Sequence, residues 1–210
     1  LAISSQEKMR SVLERVLSLA FLFSFPLALG GLVLGGDIIR VVFGQEYTPA
    51  VSSFRVLVIT ISINFTTAIL SNAIFAYNRQ KDLIKFAALG GITNIVLNLI
   101  LIPKIGILGS AWATLAAQLI SNFYLSSRVK KLTPFRVAGK IKKVAIAALI
   151  MAVVVFGLHR LGVNLALNIL AGIVIYFFLL YLMKERLLKE IKLILRPNVL
   201  DAPEKSELAS

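Results

Sequence analysis

A chain of 210 residues that is 58% hydrophobic, with a mean hydropathy of +0.87, has too few polar residues to cover the surface of a soluble domain. Its 23 Lys+Arg outnumber 10 Asp+Glu, but they sit between apolar runs, a topology signal beside lipid headgroups rather than a nucleic-acid footprint. Without cysteine there is no disulfide, cysteine-ligated zinc or thiol nucleophile, and a single histidine argues against a histidine metal site or catalytic triad.

Residues 1–15 form a charged amphipathic stretch holding Lys8, Arg10 and Arg15, without the layout of a signal peptide. It reads as a cytoplasmic linker in a longer protein whose first helices precede it. Residues 16–183 then hold six apolar runs, each close to the length that crosses a hydrocarbon core of ~30 Å. They cover about Val16–Gly36, Val56–Tyr77, Phe86–Ile102, Ile107–Leu125, Val144–Leu158 and Leu165–Met183. Pro26, followed by Gly30, Gly31, Gly35 and Gly36, predicts a bend in the first. Asp37–Arg55 is expected as an outward loop carrying Phe43, Tyr47 and Phe54 at the interface. Pro103-Lys104-Ile105-Gly106 is expected to end the third span and reverse the chain, so that spans three and four form a hairpin. Small residues spaced four apart (Ala87 and Gly91, Gly106 and Ser110, Ala113 and Ala117, Ala148 and Ala152) predict close helix contacts. Past Met183, residues 184–197 have the pattern of an amphipathic helix on the cytoplasmic leaflet, and 198–210 that of a disordered tail.

Of the 23 basic residues, only Arg40, Arg55, Lys104 and Arg160 fall on one side of this topology. The positive-inside rule makes the other side cytoplasmic and puts both chain ends there, as an even number of spans requires. No span contains Asp, Glu, Lys or Arg, and Asp37, Glu46 and His159 are scattered singly on the outward side. No paired-carboxylate site exists for acid–base or metal chemistry, so neither an enzyme nor a cofactor or metal is expected.

The spans carry uncharged polarity instead. Ser110, Thr114, Gln118 and Asn122 lie four apart on one face of the fourth span, and Asn94 and Asn98 repeat the spacing on the third. Asn64, Thr67, Ser71 and Asn72 lie near one face of the second. Such amides either line a hydrated groove for sugar hydroxyls or hold the bundle together by interhelical hydrogen bonds. On the cytoplasmic turn after span two, Arg79, Lys81 and Lys85 suit a pyrophosphate or, more simply, anionic lipid and topology.

Three stretches resemble a known family: the hairpin Asn94–Thr114, with its Asn98, Pro103, Gly106 and Gly109; the outward Phe43-Gly44-Gln45-Glu46-Tyr47; and Asn72–Lys81. They are similar to polysaccharide-biosynthesis membrane proteins, the O-antigen-type oligosaccharide flippases of the multidrug/oligosaccharidyl-lipid/polysaccharide exporter superfamily. The resemblance implies an all-α membrane helix bundle in which this chain is one six-helix lobe of a two-lobe transporter. Its partners would be the bilayer, an N-terminal lobe of the same protein, and an oligosaccharide on a polyprenyl pyrophosphate carrier. The headgroup would cross the cytoplasmic membrane through a cavity between lobes, with Arg79, Lys81 and Lys85 meeting the pyrophosphate and Asn64, Asn94, Asn98, Gln118 and Asn122 the sugars. A drug or metabolite exporter of the same superfamily and a non-transporting scaffold for glycan assembly are the alternatives.

Overall fold

In the computed structural model, residues 2–184 are described, with side chains from Gln6 onward. The helix expected over 184–197, apart from Lys184, and the tail at 198–210 lie outside the described residues. Six α-helices follow one another: α1 (Ala2–Phe43), α2 (Val51–Ala76), α3 (Gln80–Ile105), α4 (Ile107–Leu132), α5 (Ala138–Arg160) and α6 (Leu165–Leu182). A 3-10 turn, Gln45–Ala50, joins α1 to α2. In space the order is α3, α4, α2, α1, α5, α6, each packed on the next.

The helices overrun the apolar runs at nearly every end. Residues 2–15, expected as linker, are the first turns of α1, and at 1.5 Å per residue its 42 residues span roughly 63 Å, twice the hydrocarbon thickness. The loop expected at Asp37–Arg55 shrinks to Gly44 and the 3-10 turn, so Phe54 and Arg55 are helical. Charge stops an apolar run, but at headgroup level it does not stop a helix. Pro103 likewise does not end α3, which continues to Ile105. The reversal belongs to Gly106, whose φ of 59° is open to glycine at no steric cost. Asn78 takes the left-handed conformation, φ 54°, at the α2–α3 turn.

Among the described residues five helices are long and apolar enough to cross a membrane; α4 falls short because its stripe of Ser110, Thr114, Gln118, Ser121 and Asn122 dilutes it. That polarity is hidden between neighbours, since α4 packs on both α3 and α2. By contrast α3 buries only Asp82 among its 26 residues, and Ile92 and Leu99 stand open on its outer side. Two large apolar clusters, with a smaller one of Val56, Ala111 and Leu115 between α2 and α4, hold the bundle. One joins α1, α5 and α6 through Leu22, Leu34, Val144, Met151, Val155 and Tyr176. The other joins α1, α2, α4 and the α4–α5 connection through Leu17, Leu70, Ile74, Leu125, Val129 and Val137.

Pro26 leaves α1 unbroken, and the carbonyl it orphans is satisfied from another helix. Proline has no N–H to give the carbonyl of Leu22, four residues back. The Tyr176 hydroxyl of α6 donates to that carbonyl at 2.6 Å, in a fully buried position. Tyr176→Phe is therefore expected to lower stability by about 1–2 kcal/mol, the cost of an unsatisfied buried acceptor. In a Pro26→Ala background the restored N–H takes over, and the same change should cost less than half as much. Thermal unfolding of the four proteins measures this coupling; equal losses in both backgrounds would remove the link between Pro26 and Tyr176.

Candidate functional site: the polar seam of α2, α3 and α4

The expected amides fall into two seams. Along α3, Asn98 Nδ2 donates to Asn94 Oδ1 at 2.8 Å, and across to α4 Asn94 Nδ2 donates to Thr114 Oγ1 at 3.3 Å. Gln118 follows Thr114 one turn on. The side-chain oxygens of Asn98 and Gln118 are buried and have no hydrogen-bond partner. Amide acceptors left unmatched at membrane depth are ready to take a donor such as water or a hydroxyl group.

Asn122 belongs to the other seam. Buried between α4 and α2, it donates to Thr67 Oγ1 and to the Ile63 carbonyl at 3.4 Å, and accepts from Ser126 at 3.5 Å. Its amide is occupied in holding two helices together. The hydroxyls of Ser18, Thr66, Thr67 and Ser121 donate to carbonyls one turn back on their own helices. Asn64 stands exposed on α2, apart from both seams.

Arg79, Lys81 and Lys85 are exposed around the start of α3, and none forms an ion pair with a described carboxylate. Asp82, in the same turn, points inward instead. It accepts from Arg128 Nε at 3.0 Å and from Tyr124 at 3.3 Å, pinning the start of α3 to the end of α4. Along α3, Lys85 lies nine residues, roughly 14 Å, from Asn94. The basic group thus marks the end of the bundle and the amides its depth.

Sequence reasoning missed three features. Glu14, buried on α1, gathers Lys140, Arg10 and the Arg136 backbone N–H; the Arg10–Glu14 spacing was visible, but the other partners lie more than a hundred residues away. At the far end, Asp37 joins α1 to α5, taking Arg40 at 2.6 Å and His159 Nδ1 at 2.7 Å. Between α1, α2, α5 and α6 an apolar cavity of about 390 Å³ opens beside Pro26, Gly30 and Gly31. Asn168 and Tyr176 are among its lining residues; Asn168 is fully buried, and its Nδ2 donates to the Val155 carbonyl at 3.3 Å while Oδ1 has no partner.

The profile of the family described as "Lipid II flippase MurJ" matches residues 2–195. The chain is 29% identical over 175 residues to the probable low-salt glycan biosynthesis flippase Agl15 of Haloferax volcanii. It is 30% identical over 189 residues to the probable flippase AglR of the same organism. These matches take in 81% and 82% of this chain, which spans only 36% and 38% of the relatives' lengths. A solved structure, "Lipid II flippase MurJ, inward closed conformation", shares the fold with a TM-score of 0.76 at 22% identity, over 88% of this chain and 41% of that one. An all-helical bundle with helices long and apolar enough to cross a membrane and a profile match over nearly its whole length carry one conclusion: the chain belongs to the MurJ family, whose named members are flippases.

Proposed function

We propose that this chain is one lobe of a flippase that moves an oligosaccharide on a polyprenyl pyrophosphate carrier across the cytoplasmic membrane, for cell-surface polysaccharide. A second, N-terminal lobe of the same protein completes the cavity, and both ends of this chain face the cytoplasm. The observation that carries the reading is the α3–α4 seam, where Asn98 and Gln118 keep unmatched acceptor oxygens within spans that hold no charge. Sugar hydroxyls are donors of the kind such oxygens accept. Arg79, Lys81 and Lys85, exposed at the end of the same helix, meet the pyrophosphate as it enters. Asn64, Asn94 and Asn122 complete the sugar-facing set, Asn94 and Asn122 exchanging their interhelical bonds for substrate as the lobes rock. The similarity to a relative named as a glycan biosynthesis flippase supports an oligosaccharide cargo.

The test follows leaflet accessibility of lipid-linked oligosaccharide in cells making the full-length protein. Removing the segment equivalent to this chain should abolish outer-leaflet substrate and accumulate it on the cytoplasmic side. An Arg79→Ala/Lys81→Ala/Lys85→Ala protein should insert and melt normally but flip roughly tenfold more slowly, since each lost cation weakens phosphate contact. Normal outer-leaflet arrival after the deletion would end the flippase reading, and unchanged flipping by the triple variant would end the assignment of these three residues.

A further inference from the structure

A second basic site, lined by none of Arg79, Lys81 and Lys85, lies at the same end of the bundle. Arg10 of α1, Lys130 near the end of α4, and Pro134, Phe135 and Arg136 of the α4–α5 connection line an open pocket of about 590 Å³. Three of these five residues are cations, drawn from three separate parts of the chain.

Topology alone asks for positive charge near the membrane; it does not ask for a concave site held in place. Here the frame is fixed by Glu14, which is buried behind it. Glu14 Oε1 accepts from Arg10 Nε at 3.0 Å and from the Arg136 backbone N–H at 2.9 Å, and Oε2 accepts from Lys140 Nζ at 2.7 Å. Both carboxylate oxygens are thereby used. The Arg136 guanidinium and the Lys130 ammonium, the latter 5.4 Å over the Phe135 ring, are left to face the cavity without a described carboxylate. The pocket therefore carries a net positive charge and an apolar wall of Phe135 and Pro134.

Its depth identifies the occupant. Arg10 precedes Val16, where the apolar run of α1 begins, by six residues, or roughly 9 Å of helix, which is headgroup level. At headgroup level the anion that a basic pocket with an apolar wall meets at highest concentration is a phospholipid phosphate. We propose that this pocket binds the phosphodiester headgroup of an anionic bilayer phospholipid, bridging α1 to the α4–α5 connection. The site takes a resident lipid and does not depend on the transported substrate, so it stands or falls apart from the flippase reading.

The test uses the full-length protein, delipidated in detergent and titrated with palmitoyl-oleoyl phosphatidylglycerol or phosphatidylcholine under native mass spectrometry. The wild type should bind phosphatidylglycerol in preference to phosphatidylcholine, and Lys130→Ala/Arg136→Ala should weaken phosphatidylglycerol binding roughly tenfold. Lys131→Ala/Lys142→Ala, which removes two exposed lysines of the same end that do not line the pocket, should stay within about twofold of wild type. Arg136→Lys, which keeps the charge and the backbone bond to Glu14, should retain the preference and guards against misfolding of the double variant. Equal loss in both double variants would mean diffuse attraction and overturn the site, as would equal binding of the two lipids. Displacement of phosphatidylglycerol by inorganic phosphate or a polyprenyl pyrophosphate at equal concentration would reassign the pocket and overturn the proposal as well.

Discussion

Gly109→Ala is expected to destabilise the protein by about 1–2 kcal/mol net, although alanine is the better helix former. A Cβ at Gly109 would sit 2.5 Å from the Leu101 carbonyl oxygen, 2.6 Å from its carbon and 3.0 Å from the Ile102 nitrogen. All three are main-chain atoms of α3, so no side chain can swing aside and the two helices must separate. Overpacking of this kind costs about 1–3 kcal/mol, and the roughly 1 kcal/mol gained from helix propensity offsets part of it. Gly91→Ala is the matched control on the same hairpin, because nothing lies within 4 Å of the Cβ it would add. That variant should be neutral or slightly stabilised. Separating α3 from α4 also stretches the Asn94–Thr114 bond, already 3.3 Å, so Gly109→Ala should impair transport beyond its effect on the melt. Thermal unfolding of the full-length protein decides it: a Gly109→Ala midpoint equal to that of Gly91→Ala would show that the helices do not meet backbone to backbone here.

Gly109 also shows what the sequence could and could not reveal. The six helices and the Gly106 reversal were legible because apolar runs of membrane length and a glycine turn are local signals. The small-residue spacings pointed correctly to Ala113, Ala117 and Ala148, all buried. They also pointed to Ala87 and Gly91, which are exposed. The glycine that sets the α3–α4 approach lay outside those pairs, and only the partner backbone distinguishes it. The polar stripe of α4 was legible as a stripe, but which amide meets which helix was not. Asn122 turns to Thr67 on α2 while Thr114 turns to Asn94 on α3, a choice made by the packing of three helices. Helix ends were misplaced for a chemical reason: apolar runs stop where headgroups begin, while backbone hydrogen bonding continues through residues such as Arg55 and Lys130. The bond from Tyr176 to Leu22 joins residues 154 apart, beyond any local pattern.

Glu14→Gln is expected to cost as much as about 3 kcal/mol at neutral pH and almost nothing near pH 2. Burial by itself would raise the Glu14 pKa, but hydrogen bonds from Lys140, the Arg136 backbone and Arg10, with the Lys140 charge, outweigh it and hold the carboxyl down at about 2. A carboxylate with a lowered pKa in the fold stabilises the protein above its ordinary titration range, and that stabilisation is lost as pH falls from about 4.5 towards 2. The shift sets an upper limit of about 3 kcal/mol, because Arg10 and Lys140 are half-exposed and partly screened. Glutamine keeps the volume and removes the charge, so the melting midpoint at pH 7 should fall by roughly 5–10 °C. The wild type should lose that advantage between pH 4.5 and 2, while the variant, with nothing to titrate at this position, should not. A pH 7 midpoint within about 1 °C of wild type would mean that the three donors merely replace water. Lys140→Ala, removing one half-exposed donor, should cost less than Glu14→Gln, since the Arg10 and Arg136 bonds survive. Glu14 thereby ties α1 to the α4–α5 connection and to the first turn of α5 through a single carboxylate.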